Sequence, residues 1–426
     1  MAQKINQILK EVLERIKPPK KDLNFIDKNL KNFLKKLNEK IKSSKINAEI
    51  FIGGSYAKKT LIKKGKYDID IFLRFDKKYK NGELSKLTEK LLKKTAKFSR
   101  IHGSRDYFRV KISPLLFFEI VPVLKVNNPR NAKNITDLSF SHVRYVNKKM
   151  KSKKILEDIM IAKSFCYAKN CYGAESYING FSGYGLELLV YHYNGFIEFV
   201  RRISKIKSKK EIIDIEKLYK NKSSILLDIN ESKLFSPIIF IDPTYKQRNV
   251  LAALSEETFR EFQKECIKFL KSPSIDSFEP VKVNHEKIKE EAKKEGYEYV
   301  LLRADTKRQE GDIAGSKLFK FYKHLSSEIK KYFEIKNRYF EYSGKKFAEY
   351  VFVVKSKNEI LIKGPFVDDE TNKKLFIRKH KTTFVKGGKI CTKKKINFSI
   401  RRFIEEWKKD NQKKIKEMGV SGLGLL

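Results

Sequence analysis

Residues 51–71 read FIGGSYAKKTLIKKGKYDIDI. An apolar stretch ends in a Gly53-Gly54-Ser55 turn, a basic segment of helical appearance follows, and Asp68-Ile69-Asp70 begins a second apolar stretch. Side chains two apart on a strand point to the same side, so Asp68 and Asp70 project together while Ile69 and Ile71 face a core. Two converging carboxylates repel each other unless a cation lies between them, and magnesium suits such a pair. The Gly-Gly-Ser turn, opening an expected helix, offers backbone N–H groups with no side chain in the way, which suits the β- and γ-phosphates of a nucleoside triphosphate. Twelve residues separate Ser55 from Asp68, enough for a short helix and a return to the sheet. A hairpin carrying an exposed acidic pair is the plainer alternative.

Further along, LLFFEIVPVLKV over 115–126 is a β-rich apolar run whose only acid is Glu119. A carboxylate inside such a run is costly to bury alone, so Glu119 is expected to join the acidic pair, with a solvent-facing edge as the alternative.

Size and charge set the frame. The 426 residues exceed one ordinary core and suggest three or four modules. With 95 Lys and Arg against 51 Asp and Glu, the formal charge is +44. Such an excess points to a polyanion, because clustered cations release counterions condensed on a phosphate backbone. An AT-rich genome would also enrich lysine, but the charge acts physically whatever its origin. No run of about 20 apolar residues offers a transmembrane helix, and the N-terminus lacks the apolar core of a signal peptide. Cys166, Cys171, Cys266 and Cys391 show no paired zinc spacing, so a reduced cytosolic (cytoplasmic) protein is expected.

Ile5, Ile8, Leu9, Val12, Leu13 and Ile16 follow helical spacing until Pro18-Pro19, and Phe25, Ile26, Leu30, Phe33, Leu34 and Leu37 mark a second helix. Strand-rich segments over 48–126 enclose a helix near 83–98. From about 150 to 270 the pattern is helical, with a lysine-dense excursion at 206–223. After Ser272-Pro273, strand-like stretches from 297 and 347 flank a helix over 315–335. Residues 373–410 are basic with Phe376, Arg378, Phe384, Arg401, Arg402, Phe403 and Trp407 among them, a composition that can hold phosphates and stack on RNA, or simply form a charged helix face.

The Gly-Ser turn followed by Asp-x-Asp resembles the DNA polymerase β-like nucleotidyltransferase superfamily. YGAESYINGFSGYGLELLVYHYNGF (172–196) and FIDPTYKQRNVLAALS (240–255) resemble signature stretches of the archaeal, class I, CCA-adding enzymes, with weaker agreement from residue 1 to about 410. The resemblance implies an α+β multidomain fold: a nucleotidyltransferase head with a mixed sheet (1–150), a helical neck forming the nucleotide pocket (151–272), an RNA-recognition-like α+β body (273–370) and a basic tRNA-binding tail (371–426).

It also implies template-independent addition and repair of the 3′-terminal CCA of tRNA from CTP and ATP. Two Mg2+ ions would be bound by Asp68, Asp70 and Glu119, the last standing where the family usually has Asp. Ser55, Lys58, His142, Lys163 and Tyr172 would face the triphosphate, and Arg248 the base edge. Lys58 replaces a family Arg and loses its bidentate fork. Lys163 lies among Ile159, Met160, Ile161 and Phe165, where a lysine either snorkels outward or reaches into a site. For His142 and Tyr172 a packing role competes. Ser139 matches a family Thr near the sugar, and Arg105-Asp106-Tyr107 departs from a family His-Pro-Tyr. A poly(A) or poly(U) polymerase relative, and an RNA-binding protein with an inactive head, remain alternatives. A homodimer is left open.

Overall fold

The computed structural model describes residues 2–103, 105–126, 128–207, 210–280, 283–380 and 382–426. They fall into two compact units, Met1–Val281 and Lys282–Leu426.

In the first unit, α1 (Ala2–Ile16) and α2 (Lys20–Ser43) precede a sheet built from β1 (Ala48–Ile52), β2 (Tyr67–Phe75), β3 (Phe98–Ile101), β4 (Tyr107–Lys111) and β5 (Leu116–Leu124). A short α3 (Gly54–Ala57) joins β1 to β2, and α4 (Leu84–Leu92) joins β2 to β3. The strand order is β1-β2-β5-β4-β3. Strands β2 and β5 run parallel, and the remaining neighbours are antiparallel. Alternation does the sorting: Ile69, Ile71, Phe118 and Ile120 are fully buried against α2, whose Phe33 ring lies 5.2 Å from that of Phe118. The intervening Asp68, Asp70 and Glu119 are left on the opposite face.

A second core gathers α5 (Ser139–Lys149), α6 (Lys153–Ala168), α7 (Gly183–His192), α8 (Phe196–Lys205) and α10 (Glu256–Lys271) around Phe165, Phe196, Phe262 and Phe269. The apolar face of α1 belongs to this core and not to the head's. So does Phe278, which carries the unit past the break at Ser272-Pro273. The stretch between α8 and α10 is less helical than its surroundings suggest. It holds β6 (Glu211–Ile213), α9 (Lys222–Asp228), β7 (Ile238–Asp242) and β8 (Tyr245–Asn249), with β6-β7-β8 as a small sheet. The KQRN motif therefore lies on a strand.

In the second unit, α11 (His285–Lys294) leads to β9 (Glu298–Asp305), α12 (Asp312–Tyr332), β10 (Phe333–Glu341), β11 (Phe347–Ser356), β12 (Glu359–Phe366), α13 (Glu370–Lys379), β13 (Phe384–Lys386), β14 (Lys389–Lys395), α14 (Ile400–Asp410), α15 (Gln412–Glu417) and β15 (Gly422–Leu425). One sheet has the order β10-β11-β9-β15, and the other β12-β14-β13. The expected aromatic and basic surface over 373–410 is divided here. Ile400, Phe403, Ile404 and Trp407 occur at helical spacing, so α14 turns both aromatics into the core and leaves Arg401 and Arg402 outside. Phe384 remains exposed on β13, and Arg378 on α13.

Candidate active site

The glycine turn and the carboxylates are pressed together. Gly54 has φ +60°, and a Cβ there would overlap Asp70 Oδ2 and stand 2.7 Å from its Cγ. A Cβ at Gly53 would meet the Phe72 ring, with Cδ2 at 2.7 Å. The Gly53 N–H donates to the Asp70 carbonyl at 2.9 Å. The helix expected over the basic segment shrinks to the single turn of α3. Lys59 takes a left-handed φ of 57°, and the Thr60 N–H closes back on the Ser55 carbonyl at 2.9 Å, so the chain from Lys58 to Lys66 runs irregularly. Ser55 lies in that turn, half-buried.

Asp70 is the register partner of Glu119 across the parallel β2–β5 pair. Burial, then repulsion from Glu119, pushes the Asp70 carboxyl up to about 7, with Lys58 opposing and Asp68 adding to the rise. Such a group is half-protonated near neutrality and stands ready for a cation. Glu119 is differently placed. Arg109, its register partner on β4, donates to Glu119 Oε1 through Nε at 3.1 Å and a terminal nitrogen at 2.6 Å. Burial raises the Glu119 carboxyl while Arg109 opposes. Among the described residues no three His, Cys, Asp or Glu side chains converge into a metal cage. The donors that fit a divalent cation are Asp68 and Asp70, with Glu119 beside them but engaged by Arg109. Lys64 stands 4.0 Å from Asp68.

The two candidate phosphate lysines meet on a residue that the sequence reading did not single out. Lys58 Nζ donates to Glu187 Oε2 and Lys163 Nζ to Glu187 Oε1, both at 2.8 Å. Lys163 therefore reaches inward from α6 rather than snorkelling. Lys163 also donates to the Thr60 hydroxyl at 2.7 Å, and that hydroxyl donates to Glu187 at 3.1 Å. Burial pushes the Glu187 carboxyl up, yet Lys163 and Lys58 outweigh it and hold the group at about 2. Burial lowers Lys163 against the pull of Glu187.

His142 and Arg248 are joined in the same manner by Asp242 at the end of β7. Asp242 Oδ2 lies 3.0 Å from His142 Nε2 and accepts from Arg248 at 2.7 Å, while the Thr244 N–H and hydroxyl each donate to Oδ1 at 2.8 Å. Burial pushes Asp242 up, but His142, Arg248 and Thr244 hold it well below the usual carboxylate range. Burial lowers His142. Tyr184 on α7 bridges the two groups, stacked on His142 with centroids 4.1 Å apart and carrying Lys58 Nζ 5.4 Å above its ring. Tyr172 stacks on Tyr167 at 4.2 Å, and Lys64 donates to the Tyr167 hydroxyl at 3.4 Å, which links Tyr172 to Asp68 through Lys64.

Arg109, Thr60, Tyr184, Glu187 and Asp242 are thus the additions to the set. Glu187 and Asp242 were legible as lone acids in the apolar runs LELLV and IIFID. Arg109 was legible from the alternation of YFRVK, which places it outward between buried Phe108 and Val110. Arg105, in the segment that departs from His-Pro-Tyr, is structural: it donates to the Pro122 carbonyl at 3.0 Å and to Asp137 Oδ2 at 3.3 Å.

Residues 157–279 match the family described as tRNA nucleotidyltransferase, second domain. Residues 3–147 match the Second Messenger Oligonucleotide or Dinucleotide Synthetase domain. A CCA-adding enzyme of Nanoarchaeum equitans is 43% identical over 212 residues, covering 50% of this chain and 52% of that protein. One from Methanocaldococcus jannaschii is 28% identical over 403 residues, covering 91% and 86%. The chain belongs to the archaeal CCA-adding enzyme family. This chain matches about half the length of the Nanoarchaeum family member and most of the Methanocaldococcus one. Among solved structures, a cytoplasmic RNA terminal U-transferase is similar in fold, with a TM-score of 0.52 at 14% identity over 66% of this chain and all of that one.

Proposed function

We propose that the chain adds and repairs the 3′-terminal CCA of tRNA, using CTP and ATP without a nucleic-acid template. The observation that carries this is the Gly53-Gly54 turn packed on the Asp70 carboxylate beside two buried lysines, in a chain whose curated relatives are CCA-adding enzymes. Family membership implies nucleotide substrates and divalent metal. Two magnesium ions held by Asp68 and Asp70, with Glu119 completing the set once Arg109 releases it, would favour the ionised 3′ hydroxyl and neutralise the leaving pyrophosphate.

The chain's own residues do the rest. The Gly54 and Ser55 N–H groups and the Ser55 hydroxyl receive the phosphates, while the Gly53 N–H ties the turn to the Asp70 carbonyl. Lys58 and Lys163 supply positive charge where the triphosphate lies, and Tyr172 lines that region. Arg248, fixed by Asp242, presents its planar guanidinium to the acceptor edge of cytosine or adenine, and His142, held by the same carboxylate, lies on the triphosphate side. The RNA 3′ oxygen attacks the α-phosphorus, a new P–O bond forms, the bond to the β-phosphate oxygen breaks, and pyrophosphate departs. The net charge of +44 supports a grip on the tRNA acceptor end. The four unpaired, buried cysteines suit the cytoplasm.

The test is extension of a tRNA transcript lacking CCA, resolved to single nucleotides. Growth by two residues with CTP, and by a third when ATP is added, is expected. A long homopolymer would move the chain to the terminal uridylyl- or adenylyltransferases, a second reading favoured by the fold likeness to the RNA terminal U-transferase. Intact tRNA binding without extension would leave an inactive head.

A further inference from the structure

We propose that Glu187 is a positioning residue that sets the orientation and spacing of Lys58 and Lys163 for the triphosphate of an incoming nucleotide. This deepens, and rests on, the reading above. Glu187 is 1% exposed, Lys163 2% and Lys58 8%, so the three charges are held almost out of water. They come from three separate segments: the irregular stretch after α3, helix α6 and helix α7. Each carboxylate oxygen takes a different ammonium, both at 2.8 Å. Thr60 fixes the second contact by accepting from Lys163 and donating to the same Glu187 oxygen.

A structural ion pair needs one cation. Here two cations share one anion; Lys58 also faces the Asp70 carboxylate, and once a divalent ion occupies that carboxylate the buried positive charge is short of a partner until a further anion arrives. That charge adjoins the glycine turn, since the Lys58 N–H closes on the Gly54 carbonyl at 3.4 Å. A polyphosphate supplies the missing charge. Glu187 keeps both ammoniums in place before it arrives, so less ordering is needed at the moment of binding. Because Glu187 touches neither His142 nor Arg248, its effect acts on phosphates and is blind to the base.

The experiment is calorimetric titration of the full chain, in magnesium, with CTP, ATP and inorganic tripolyphosphate. In Glu187→Gln, which keeps the shape and removes the charge, all three dissociation constants should rise together by about tenfold or more. The affinity for tRNA should stay unchanged. Where Glu187→Gln does not fold, Thr60→Val keeps both ion pairs and loses only the hydroxyl, and should weaken all three ligands by about threefold. A folded Glu187→Gln that binds all three as the parent does, or loses only thermal stability, overturns the proposal. So does weakening confined to one nucleotide, or a Thr60→Val with parental affinities when the first variant cannot be used. A parent chain that binds CTP and ATP yet extends no tRNA would overturn the functional reading while leaving the Glu187 measurement intact.

Discussion

The contact between Gly54 and Asp70 can be tested as a double-mutant cycle. Gly54→Ala places a methyl group at φ +60° and drives it into the Asp70 carboxylate. The backbone conformation alone costs about 1–2 kcal/mol for a residue with a Cβ. Forcing the side chain aside adds about 1–3 kcal/mol of overpacking, and the reduced freedom of the unfolded chain returns about 0.4–1 kcal/mol. In an Asp70→Ala background the obstructing Oδ2 and Cγ are gone, and only the Asp70 Cβ remains, at 3.2 Å. The backbone and unfolded-state contributions are common to both backgrounds and cancel in the cycle. What survives is the steric contact, so urea unfolding of the four proteins should give a coupling of about 1–3 kcal/mol, with Gly54→Ala milder when Asp70 is absent. Extension assays on the same proteins should show Gly54→Ala nearly as inactive as Asp70→Ala, because the carboxylate has been displaced. Additivity within about 0.5 kcal/mol, or a Gly54→Ala that extends tRNA at the parental rate, would refute the claim that the turn and the carboxylate are packed as one unit.

Asp70→Ala itself should abolish nucleotide addition while leaving tRNA binding in gel-shift assays near the parental level; retained turnover would sink the metal assignment. Arg109→Met should free Glu119, so the magnesium concentration giving half-maximal extension should fall, whereas a rise would mean that Arg109 orients Glu119 for the ion. Asp242→Asn should loosen His142 and Arg248 together and weaken CTP and ATP by about tenfold, more than it weakens tripolyphosphate, and a uniform loss across all three ligands would contradict the assignment of Arg248 to the base edge. Glu187 has a carboxyl held at about 2 in the folded protein, against an ordinary value near 4.5. Its contribution to stability is therefore complete above the unfolded value and is lost as pH falls through that window, so the gap in urea midpoints between the parent and Glu187→Gln should narrow from pH 5 to pH 3. A gap that stays constant would count against the ion pairs as its origin.

The head was legible because its determinants are local. Period-two alternation through DIDIF and FFEIV fixed both the strands and the face that carries the acids, and φ at a Gly-Gly pair is a backbone matter. What escaped was non-local. The sequence reading grouped α1 with the head, yet its apolar face lies with α6 and Phe278, because amphipathic spacing says that a face is buried and not against what. Trp407 and Phe403 read as part of a stacking surface or of a charged helix face since lysines surround them in sequence, but the spacing 400, 403, 404, 407 is a core stripe, and the helical period outweighed the composition. The helix expected over the basic segment after the Gly-Gly-Ser turn is cut to one turn for a different reason: Lys58 is drawn inward by Glu187, 129 residues away, and no local propensity records that bond.

The three charged residues among those missed share one physical character, and it bears on how the site works. Glu187, Asp242 and Arg109 each neutralise part of a charge cluster whose visible members had already been picked out. Glu187 alone leaves its two lysines one unit positive, while Asp242 balances Arg248 beside a His142 whose burial disfavours its cation. Arg109 offsets one of the three acids near the glycine turn, so that group stays negative. Two of the three clusters are thus unbalanced, positive where phosphates are expected and negative where cations are expected. A triphosphate arriving with its divalent ions corrects both imbalances at once, whereas either alone corrects only one. Nucleotide and metal should therefore bind with positive coupling, and the reciprocity of linkage makes the factor measurable from either side. Tripolyphosphate affinity measured with and without magnesium, and magnesium affinity with and without tripolyphosphate, must change by the same factor. That factor should shrink in Asp70→Ala, where the acidic partner is gone, and should persist in Asp242→Asn, where it is not.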